Sequence, residues 1–194
     1  MTTAVHIIVE SGAATAALHP LRMEILGELA EPDSAAGIAR RMSIPRQQVN
    51  YHIRQLEAQG LVKSVGQRRA RNCIERLVQA VGRSYMISPA ALGELAADPE
   101  QIEDRTSDSY LLAVLSQMIQ EVAGIRHGPG PRGKEPRTST LQADVHLESR
   151  KAEEAFTAEL SAEISRLVDK YQVAGSPKGR TLRLVVGTYP KRGP

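Results

Sequence analysis

At 194 residues the chain suits one or two domains, and 41% apolar residues are enough for a real core. A single cysteine excludes an intrachain disulfide and fits a reducing compartment, while no apolar run approaches the roughly eighteen residues that span a bilayer. With no signal-peptide pattern at the N-terminus, a cytoplasmic protein with no membrane partner is expected, and its net charge is only +3.

Aromatic residues are scarce, with no Trp and one Phe, so the core must come from Leu, Ile, Val, Ala and Met. Residues 4–10, AVHIIVE, read as a short strand. Residues 13–30 read as helical, with Leu21, Ile25, Leu26 and Leu29 as a core stripe. Pro20 splits that helix, because it biases His19 away from helical backbone angles.

The chain is organised around residues 34–64, SAAGIARRMSIPRQQVNYHIRQLEAQGLVKS. Ser34 can cap a short helix whose Ile38 and Met42 face inward, and Ser43-Ile44-Pro45 makes a turn. Pro45 suits the first position of a second helix and Gly60 the residue just past its end. On a helical wheel Val49, Ile53 and Leu56 fall together, while Gln47, Asn50, Tyr51, Arg54 and Ala58 gather opposite. Amides can read adenine edges and guanidinium groups can read guanine in a major groove. Helix, tight turn, helix is the plan in which the second helix enters that groove.

Leu61 to Val65 then reads as a strand, 66–72 as a basic turn-forming tip, and 73–81 as a returning strand, which makes a winged helix. From Arg40 to Arg83 ten Lys/Arg stand against two acids, a local +8 in a chain of +3. That is the footprint of a phosphate-binding surface. Arginine outnumbers lysine 19 to 6, which suits bidentate phosphate contacts but follows equally from a GC-rich coding bias.

The run LHPLRMEILGELAEPDSAAGIARRMSIPRQQVNYHIRQLEAQGLVKSV resembles the winged-helix domain of ArsR-type transcriptional regulators. The residues that carry the likeness are His19-Pro20-Leu21-Arg22, Ile38-Ala39, Tyr51 to Glu57, and Gly60-Leu61-Val62 entering the wing. Glu75-Arg76-Leu77 to Ser84-Tyr85-Met86-Ile87 is similar to the wing exit of the non-metal branch. The likeness spans roughly residues 15–90 and implies a dimeric, DNA-binding, usually repressing regulator.

Beyond Ser88 the chain turns acidic, and residues 89–108 read as a connector with short helices broken at Pro99. Tyr110 to Ile125 carries Leu111, Leu115, Met118, Val122 and Ile125 at the spacing of a coiled-coil seam, although over only about two heptads. Gly124 to Arg137 reads as a flexible loop; its glycines lack the Gly-Lys-Ser/Thr of a phosphate loop. Leu141 to Glu148 alternates apolar and polar as a half-wet strand does, Lys151 to Tyr171 is an amphipathic helix, and Arg180 to Tyr189 reads as a second strand. Two strands alone are marginal, so they would gain neighbours from a partner subunit, the N-terminal strand or the wing exit. The fold class expected is α+β: a winged helix-turn-helix domain (1–88), an acidic connector (89–108), and a helix-strand-helix-strand region (109–194) for dimerisation and sensing.

Base edges are expected to meet Gln47, Asn50 and Arg54, with Arg46 reaching from the first turn. Gln48 and Tyr51 would hold phosphates, and Arg68, Arg69 and Arg71 would follow the backbone or enter the minor groove. A homodimer would read half-sites about 10–10.5 base pairs apart, or a multiple of that, in double-stranded DNA. No residue names a small-molecule effector: Leu115, Met118, Ile119 and Phe156 fill an ordinary core as readily as they line an apolar site. Metal sensing is the alternative, but it needs clustered thiolates or His/carboxylate sets. AAGIARRM has no cysteine, Cys73 stands alone, and the five histidines are scattered, so no metal or cofactor is expected. No catalytic set is legible, and Glu153 and Glu154 do not face each other on a helix. A winged helix serving only protein contacts would not need Arg68, Arg69 and Arg71.

Overall fold

The N-terminal strand β1 (Thr3–Ile8) lies parallel to β4 (Gly82–Ile87), and between these two partners runs the whole of the helix-and-hairpin region. The computed structural model describes residues 2–70, 73–127, 138–173 and 181–191. The chain clusters into two units, residues 1–134 and 135–194.

In the first unit α1 (Ser11–Ala17) and α2 (Pro20–Glu28) are separate helices, divided at Pro20 as its effect on His19 predicts. Helix α3 (Ala35–Met42) is capped by Ser34, whose hydroxyl accepts from the Gly37 amide at 3.1 Å. The turn passes through Ser43, left-handed at φ 56°, into α4 (Arg46–Ala58). Pro45 stands one residue before that helix, and Gly60 at φ 67° lets the chain leave it, a conformation that favours glycine. Val49, Ile53 and Leu56 of α4 join Ile25, Leu26, Leu29 and Ile38 in one core. Each such side chain contributes about 1.5–3 kcal/mol when withdrawn from water.

The wing is longer than its composition suggests. β2 (Val62–Ala70) and β3 (Cys73–Ala80) pair antiparallel with an irregularity between Ser64 and Gly66, so residues 66–70 are strand and not turn. Arg71 and Asn72, the last two residues of the expected tip, lie outside the described residues. Asp33 adds an isolated bridge to Val78, exchanging main-chain bonds of 3.1 and 2.9 Å. The wing exit is closed by the Tyr85 hydroxyl, which donates to the Leu61 carbonyl at 3.1 Å.

Pro89–Leu95 and Pro99–Gln101 are short 3-10 helices, and both lie within the first unit. Helix α5 (Asp108–His127) packs on both and clusters with the N-terminal unit, whereas the sequence grouped it with the C-terminal region. It carries the seam through Ile125 and runs on to His127, into the stretch from Gly124 that was expected to be loop; residues 128–137 lie outside the described ones. The face it buries is that of Ala113, Ser116 and Ala123, while Leu115, Met118 and Ile125 of the seam stay well exposed.

In the second unit α6 (Arg150–Tyr171) is capped by Ser149, which accepts from the Ala152 amide. The strands expected at 141–148 and 180–189 do not form: their described residues, 141–148 and 181–189, make no ladder. Alternation specifies a face, but a strand exists only with a hydrogen-bonded neighbour. The N-terminal strand and the wing exit are committed to each other as β1 and β4. Lys191 and Asp144 bring the two extended segments together through an ion pair of 2.5 Å. Residues 174–180, with Gly175-Ser176-Pro177, lie outside the described ones.

Candidate nucleic-acid interface

One turn of side chains decides what α4 offers to solvent. Val49, His52, Ile53 and Leu56 point inward, and this fixes Arg46, Gln47, Gln48, Tyr51 and Arg54 outward with Asn50 at the margin. Arg46, Gln47, Asn50, Tyr51 and Arg54 together line one surface groove. A second groove joins Arg46 and Asn50 to Glu75, Arg76 and the entry of α3. The helix face read from sequence is therefore free, and it borders the hairpin.

The wing is tied to this helix. Arg76 on β3 donates both guanidinium arms to the Glu57 carboxylate of α4, at 2.8 and 2.6 Å. Of the cations between residues 40 and 83, Arg41, Arg68 and Arg76 are held in ion pairs. Among the described residues Arg40, Arg46, Arg54, Arg69 and Arg83 have no ion-pair partner. Arg69 follows Arg68 along β2, stands opposite Ile74 and is exposed. Arg71 falls outside the described residues.

Sequence reasoning missed a buried polar cluster behind the wing. Asp33 and Glu75 are each only 8% exposed. Glu75 accepts from the Ser34 hydroxyl at 2.8 Å and from Arg68 at 3.0 Å, and these two bonds, the hydroxyl first, hold its carboxyl below the ordinary range. For Asp33 burial pushes upward, but the Arg41 hydrogen bond and the Ser34 amide outweigh it and leave the group lowered. Arg41 also reaches Glu28 at 2.5 Å. The signal was the hairpin register: with Ala70 paired to Cys73, Arg68 stands directly opposite Glu75.

His52 packs against the His19 ring, with centroids 5.1 Å apart, and its Nδ1 has no hydrogen-bond partner among the described residues. Burial, then the neighbouring His19 and Arg22, push its pKa down, so it sits neutral in the core. Leu115, Met118 and Ile119 belong to the first unit and Phe156 to the second. Among the described residues no group of three or more His, Cys, Asp or Glu is placed to hold a metal ion, and no helix is long and apolar enough to cross a membrane.

A protein-family model described as a helix-turn-helix domain matches residues 17–65, from the end of α1 into β2. The chain carries a helix-turn-helix domain. Comparison with curated proteins finds no match. The helix-turn-helix domain points to DNA binding and regulation of transcription, and α4 is the helix that follows its turn.

Proposed function

We propose that this chain is a sequence-specific transcriptional regulator of the ArsR type, a homodimeric repressor that binds palindromic DNA without a metal cofactor. The observation that carries this reading is the groove on α4: two guanidinium groups, two amides and a phenol share one open surface, while the opposite side of the same helix is core. Arg46, Gln47, Asn50 and Arg54 face base edges, Gln48 and Tyr51 hold phosphates, and Arg69 and Arg71 follow the backbone from the wing. Bound over a promoter, the dimer blocks polymerase. An effector acting through the C-terminal region would alter the spacing of the two reading helices. Catalysis has no place in this account.

Neutralising Arg69 and Arg71 tests it. For every phosphate that is no longer neutralised, the dependence of affinity on salt should flatten by about 0.9 on logarithmic axes. A module that binds only protein would show no DNA affinity for salt to modulate.

A further inference from the structure

The sequence reads Arg68 as a phosphate ligand, but its guanidinium is occupied. One nitrogen, Nη2, lies 3.0 Å from a Glu75 oxygen and 3.2 Å from an Asp33 oxygen. Resting on the DNA-binding reading above, we propose that Arg68, paired with Glu75 in the outer half of the hairpin, is a positioning residue that latches the wing to the entry of α3, and so sets the angle at which wing and α4 meet a duplex.

The cluster is built for this. Its members come from three places along the chain: the segment entering α3 with α3 itself, β2, and β3. Ser34 caps α3 with the same hydroxyl that donates to Glu75. Asp33 is fixed by its main-chain exchange with Val78 of β3, by the Ser34 amide at 2.7 Å, and by Arg41. A β-carbon on Gly37 would overlap the Asp33 carboxylate, so the helix approaches the cluster as closely as only glycine permits. Both acids are buried, and a buried carboxylate without its cation is strongly unfavourable. Among the described residues, drawing Arg68 out to a phosphate would strip Glu75 of its ion-pair partner and Asp33 of one of its two. Arg69 carries no such penalty, because strand alternation turns it to the other face.

The two roles for Arg68 separate in the full-length protein. Binding of a selected operator fragment would be measured across a salt series for the native chain, Arg68→Ala, Glu75→Gln and Arg69→Ala. Amide exchange in β2 and β3 of the DNA-free proteins would be followed alongside. A latch predicts that Arg68→Ala weakens binding about ten-fold with an unchanged salt slope, that Glu75→Gln weakens it too, and that both speed wing exchange. A phosphate ligand predicts a slope lowered by about 0.9 in Arg68→Ala, and tighter binding in Glu75→Gln because Arg68 is released. That second pattern overturns the proposal, as would native affinity and native wing exchange in both variants. Should Arg69→Ala and the native chain alike fail to select DNA, the regulator reading fails, and the exchange data still judge the latch.

Discussion

Ser34 shows how much one small side chain can carry. It caps α3 and donates to a buried carboxylate 41 residues away, so Ser34→Ala removes a cap and leaves Glu75 with one partner fewer. A cap alone is worth about 1 kcal/mol, and urea unfolding of the variant should show at least that loss with an unchanged slope against denaturant. His52 makes a prediction about pH. Its folded pKa lies below the ordinary 6.5, so the unfolded chain takes up its proton first as acid is added. Stability is whole above 6.5 and is eroded as pH falls through that value and on through the lower folded value. Melting temperatures measured between about pH 7.5 and 5.5 should fall, and His52→Leu should flatten that fall. The lowered Asp33 and Glu75 add a separate loss further into acid, below their ordinary values of 3.8 and 4.5. The helical spacing that groups Val49, Ile53 and Leu56 also sets His52 at the edge of that stripe. Its pairing with His19 was not legible in the sequence, because it depends on how α2 crosses α4.

At the scale of elements, what the sequence made legible is what local chemistry specifies. Pro45, Gly60 and the spacing of Val49, Ile53 and Leu56 mark α4 to within one residue. The outward face follows from the inward one, so the candidate interface on α4 was readable in advance. The wing was harder, because the arginines and glycine of 66–70 look like a turn while cross-strand pairing makes them strand. The segment 141–148 failed the opposite way: its alternation is faultless, yet it finds no ladder among the described residues. Pairing is non-local, and a one-dimensional pattern carries no information about a neighbour. Helix α4 makes its own prediction. Asn50→Ala should relax preference at one base pair of each half-site, by about 1–3 kcal/mol, and leave the salt slope as it was. Competition between operators substituted at single positions would measure it.

Over the whole molecule, charge and burial tell one story at different resolutions. A net +3 conceals a +8 stretch, and the structure divides that stretch into cations that hold the domain together and cations that remain outward. Arg41, Arg68 and Arg76 belong to the first group; Arg46, Arg54 and Arg69 belong to the second. The raw count of basic residues therefore overstates the surface available to phosphates. The matched helix-turn-helix region covers residues 17–65; β1 and β4 pair on either side of it, and the bridge from Asp33 inside it to Val78 ties it to the returning strand of the wing. Selection of bound fragments from total genomic DNA by the purified chain tests the central claim most directly. The account predicts enrichment of an imperfect palindrome with half-sites about 10–10.5 base pairs apart, or a multiple of that, lost when Arg46, Asn50 and Arg54 are replaced together by Ala. Recovery of no common sequence, or of the same sequence by that triple variant, would contradict it.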